Sequence, residues 1–76
     1  MQYLGKPVHR GNVVTVHVGS ELVGVQGYVT RVDEESCIVE AFVDNRTARY
    51  RCTVSNGGNM LIGVSVKNAG DYHDHA

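Results

Sequence analysis

Arg46, Arg49 and Arg51 fall within the stretch "NRTARYRC", and no acidic residue occurs from Asn45 to Met60. Guanidinium groups grip phosphates bidentately and stack on nucleobases, and a sheet surface can present them for both purposes. Strand alternation puts Arg49 and Arg51 on one outward face and turns Tyr50 inward, away from them. These three arginines are the candidate nucleic-acid contacts, with RNA or DNA as the ligand. The competing account is a solvated face whose arginines pair with Glu40 and Glu35.

Other reactive side chains carry less. His73 and His75, with Asp71 and Asp74 beside them, close the chain in the polar run "NAGDYHDHA". A metal site needs three or four oriented ligands with outer support, and a terminal tail offers neither, so no metal is expected. Cys37 and Cys52 are too few for a disulfide scaffold and read as buried thiols, although a cross-strand bond is open to them in one hairpin register. Neither has a recognisable histidine or helix terminus to lower its pKa. No paired carboxylates flank a cleft, and no phosphate-cradling loop opens a helix. The expectation is a binding module with no catalysis, no cofactor and no small-molecule substrate.

The elements that must position these residues are strands. Valine dominates the apolar residues, there is no tryptophan, and no stretch has helical periodicity. "NVVTVHV" alternates, with Val14, Val16 and Val18 on one face. A glycine-punctuated loop follows, then "YVTRV" resumes the strand and "DEES" turns in solvent. "CIVEAFV" and "TARYRCTV" form a hairpin across Asp44 and Asn45. A two-residue turn pairs Glu40 with Arg49 and Cys37 with Cys52; a four-residue turn, Asp44 to Thr47, keeps the same faces but pairs Glu40 with Arg51. "SNGGN" marks another turn, and "MLIGVSV" is expected to point Met60, Ile62, Val64 and Val66 inward. Pro7 suggests an extended entry segment.

About five short strands in one small domain imply an all-β barrel or sandwich, over residues 1–70, with 71–76 as a polar tail. On this reading the loop places Glu21, Leu22, Val23 and Val25 in solvent, and the last strand places Leu61 there too. These five are the candidate protein-interface residues, for a protein partner or self-association, with open sheet edges as a further route. The formal net charge of −1 gives no global attraction to nucleic acid or an anionic membrane. No apolar run is long enough to span a membrane, and the first ten residues lack a signal-peptide core, so a cytoplasmic setting is expected.

Gly11, Val13, Val16, Gly19, Gly24, Gly27, Val29 and Val32 together resemble the KOW motif, which is found in SH3-like barrels of ribosomal proteins and transcription elongation factors. The resemblance covers Gly11 to about Val43. It implies a five-stranded SH3-like barrel, built from a strongly bent antiparallel sheet, in which Gly27 permits a sharp strand bend. The loop "SELVGVQ" carries Glu21 and no base, so the structural glycines and valines carry over and an RNA-contacting loop does not.

Overall fold

The computed structural model describes residues 1–55 and 57–66. All its regular elements are strands: β1 (Gln2–Tyr3), β2 (Lys6–Pro7), β3 (Val13–Val18), β4 (Val23–Val32), β5 (Cys37–Val43), β6 (Arg46–Val54) and β7 (Leu61–Val66). Strands β3 to β7 close into a barrel in sequence order, and β1 and β2 form a separate two-stranded sheet. Neighbours from β3 to β7 are antiparallel, and the closing pair β3–β7 is parallel. That mixture follows from parity: an odd number of strands in up-and-down order leaves the first and last running the same way. No helix among the described residues is long and apolar enough to cross a membrane.

The β5–β6 hairpin has the two-residue turn. Asp44 and Asn45 both hold positive φ, 52° and 63°, as the tight hairpin turn requires. Glu40 therefore faces Arg49, and Cys37 faces Cys52. The inward residues of this hairpin are those expected from alternation, with Cys37, Val39, Ala41 and Cys52 buried and Tyr50 half-buried against them. The "DEES" turn is also present, closed by the Asp33 N–H donating to the Ser36 carbonyl at 2.8 Å.

Two interior glycines let the sheet curl. A Cβ on Gly27 would lie 2.5 Å from the Glu40 carbonyl oxygen and 2.8 Å from a Val39 methyl. One on Gly63 would overlap Val16 and lie 3.1 Å from the Tyr50 Cβ. At Gly27 a neighbouring backbone carbonyl, and at Gly63 the side chains of Val16 and Tyr50, come too close for a Cβ. Gly24 plays a different part from the one expected. The turn after β3 is only Gly19–Leu22, closed by the Leu22 N–H on the Gly19 carbonyl, and Gly24 and Val25 already belong to β4.

The last strand departs most from the alternation argument. Leu61 is fully buried, Gly63 faces the interior and Val64 is 67% exposed, so the inward set is Leu61 and Gly63 rather than Ile62 and Val64. A one-residue slip exchanges the two faces of a strand, and here both faces are apolar enough to go inside. Packing decides the matter: Gly63 is the residue that fits beneath Val16, and Leu61 fills the space between Val16 and Val54. Leu61 is thus a core residue and not an interface candidate.

The entry segment is a small hairpin rather than an extended lead. Leu4 and Gly5 form its turn with positive φ, the Leu4 N–H donates to the Gly58 carbonyl at 2.9 Å, and the Val8 N–H donates to the Met1 carbonyl at 3.0 Å. Val8 is buried, with Met1 and Tyr3 packed on the core, so this hairpin covers one end of the barrel. Ser55, Gly57, Gly58 and Asn59 make the turn before β7, with Gly57 and Gly58 at positive φ. Asn56 and the expected tail, with His73 and His75, lie outside the described residues.

Gly63→Ala is expected to destabilise the fold by about 1–3 kcal/mol through overpacking against Val16 and Tyr50, whereas Val64→Thr on the outer side of the same strand should change stability by under about 0.5 kcal/mol. Urea unfolding of the two variants checks the orientation of β7.

Candidate nucleic-acid interface

The outward side chains form cross-strand rows set by the ladder register. One row runs Val13, Tyr28, Glu40, Arg49 and Val66 across β3, β4, β5, β6 and β7. The next runs Arg31, Ile38, Arg51 and Val64. Beyond Glu40 on β5, Phe42 faces Thr47. Arg49 and Arg51 therefore share an outward face, with two aromatic side chains beside them. Phe42 is 72% exposed and Tyr28 is 50% exposed.

Polar contacts hold the centre of this face. Arg49 Nε lies 3.3 Å from Glu40 Oε2, and the Tyr28 hydroxyl donates to Glu40 Oε1 at 3.3 Å. Both members of the ion pair are partly shielded by the sheet, with side chains 31% and 21% exposed. Arg31 pairs with Asp33 at 3.6 Å in a more open setting. Arg51 projects from the same face as Arg49 and is exposed. Thr30, Arg31, Glu40 and Arg49 surround a shallow hollow of about 130 Å³ with Ile38 in its lining.

The third arginine of the sequence triplet does not join this group. Arg46 faces Val43 beside the turn and has the inward parity of β6, so it projects at the barrel end, apart from Arg49 and Arg51. Its place is taken by Arg31. Strict alternation from the buried Val29 would turn Arg31 into the core, but the register slips between Val29 and Arg31. This bulge adds one residue to β4, sends Arg31 outward beside Ile38 and returns Val32 to the inner side. The Thr30 hydroxyl donates to the Ile38 carbonyl at 3.4 Å within the bulge. Phe42 carries a signal in the sequence, since it has the same parity as Glu40, which already reads as outward.

The aliphatic loop candidates separate. Glu21 and Leu22 sit in the Gly19–Leu22 turn and Val23 at the first position of β4, all exposed. Val25 faces Val16 across the ladder and is half-buried, so it lines the barrel interior rather than a loop tip. Closure also leaves few free edges, since every barrel strand has two partners. Among the described residues the closing ladder joins Val16–Val18 to Leu61–Gly63, and none of them pairs with the same side of Val13–Thr15 or Val64–Val66.

Cys37 and Cys52 are free thiols, directly paired and fully buried. Their mutual hydrogen bond, with burial added, pushes the Cys52 thiol far above its ordinary range and holds it protonated. Among the described residues no group of three or more His, Cys, Asp and Glu side chains converges on a common point. A thiol reagent should leave both cysteines unmodified in the native protein and react with both in denaturant; a fast native reaction at either one would contradict their burial. No family model, curated protein or solved structure matches this chain.

Proposed function

We propose that the chain is a non-catalytic binding module that takes single-stranded RNA or DNA on the outer face of β4, β5 and β6. The observation that supports this most is the union of exposed aromatics with arginines on one sheet surface. Tyr28 and Phe42 offer flat faces on which bases can stack, and such stacking is worth about 1–3 kcal/mol per base. Arg49 and Arg51 stand to the side of these rings, where the phosphates of a strand stacked on them pass. The resemblance of Gly11 to Val43 to the KOW motif of SH3-like barrels, a fold with which the five-stranded closed barrel is compatible, adds to this reading. The modest charge of the face fits a ligand held by stacking as much as by ion pairing.

Protein interaction is the second reading, and one specific observation favours it. Leu22 and Val23 remain exposed at the barrel end opposite the N-terminal hairpin, with Glu21 beside them. A protein partner or a second copy on that end would bury them and would depend little on salt.

Binding of short single-stranded RNA and DNA at two salt concentrations separates the readings. The first predicts affinity that falls with salt, and a log–log slope smaller by roughly 0.7 for each phosphate that the Arg49→Ala/Arg51→Ala variant no longer neutralises. Phe42→Ala should weaken binding by about 1–3 kcal/mol and leave the salt slope unchanged. Absence of binding at low salt would contradict the nucleic-acid reading.

A further inference from the structure

The hollow on the outer face has the lining of an anion site, with one feature that opposes it. Arg31 and Arg49 reach it from β4 and β6, Thr30 stands at its rim, and buried Ile38 is part of its lining. Its volume of about 130 Å³ leaves room for one tetrahedral oxyanion. Glu40 also lines it, and a carboxylate can only accept hydrogen bonds, so it repels an incoming phosphate.

The geometry around Glu40 shows how that repulsion is contained. Its two oxygens are separately engaged, one by the Tyr28 hydroxyl and the other by Arg49 Nε, each at 3.3 Å. Arg49 uses its Nε in this pair, and the guanidinium carries further donors on its other nitrogens. Among the described residues Arg31 is held by the exposed Asp33 pair at 3.6 Å, which exchanges easily with water and salt.

We propose that this hollow seats one backbone phosphate between Arg31 and Arg49, and that Glu40 sets the threshold for occupancy by holding Arg49 until a phosphate displaces it. The proposal rests on the nucleic-acid reading and adds a defined phosphate position and a residue that limits affinity. The bulge at Thr30 is then functional, since it is what brings Arg31 out of the core to the seat. An uncharged residue in place of Glu40 removes the repulsion and frees Arg49 while keeping the side-chain size.

The test measures binding of one single-stranded ten-nucleotide RNA across a salt series. The proteins are the natural chain, Arg31→Ala, Arg31→Gln, Glu40→Gln and Arg49→Ala/Arg51→Ala, each checked for folding by its thermal transition. The seat predicts that the log–log salt slope falls by roughly 0.7 in both Arg31 variants. It predicts that Glu40→Gln binds at least about fivefold more tightly at low salt, the weight of one charge at contact distance taken at the dielectric constant of water. If the natural chain binds and Arg49→Ala/Arg51→Ala does not, yet the Arg31 variants keep the natural slope, the seat is overturned and the broader interface stands. Weaker binding by Glu40→Gln would overturn its part as a restraint and make it a positioning partner of Arg49. If no protein in the set binds RNA, the seat and the interface fall together.

Discussion

Closing a five-stranded sheet on so short a chain is the constraint on which the rest of this structure depends. A narrow barrel has little interior, and its strands must coil hard to meet. The inward row Val14, Gly27, Ala41 and Ala48 is correspondingly small, and Gly63 makes room for Val16 where β7 meets β3. The larger residues Leu61, Val16, Val29 and Val39 fill what remains, with two thiols beside them. Once these positions face inward, alternation together with the bulge between Val29 and Arg31 sets the outer rows. The outer rows of arginines and aromatics are a consequence of how the inside closes.

The same constraint explains which parts can be read from the residues alone. The β5–β6 hairpin is legible because its charged residues, Glu40, Arg49 and Arg51, all share one parity, and the other parity between Cys37 and Val43 and from Ala48 to Cys52 carries none. Asp44 and Asn45 then need only accept positive φ. The last strand is not legible, because Leu61, Gly63 and Ser65 compete with Ile62, Val64 and Val66, and composition does not decide between them. The choice lies in a contact between Gly63 and Val16, 47 positions apart in the chain. Arg31 is hidden in another way, since a bulge changes parity without any glycine to announce it. Gly24 reads as a loop residue, although the turn before it closes at Leu22, which itself holds a φ of 52°.

The outer face gives the proposed interface a physical logic that the arginine triplet alone lacks. Arg46 departs to the barrel end, Arg31 arrives from β4, and Glu40 stands among the remaining guanidiniums, engaging Tyr28 and Arg49 together. Under the proposed function such a face would attract anions weakly at a distance, in keeping with the overall charge of −1, and would discriminate at contact through stacking and short-range pairing. The exposed Val13, Val64 and Phe42 around it are apolar surface that a stacked ligand would cover.

The orientation of β7 is the point at which the closure account can be tested most directly, and side-chain nuclear Overhauser contacts in the isotope-labelled protein would report it. The account predicts contacts from the Leu61 methyls to Val16 and Val54, with the Val64 methyls remote from both. Contacts from Ile62 or Val64 to Val16, with Leu61 in solvent, would contradict it and would invert the outer face along with the inner one.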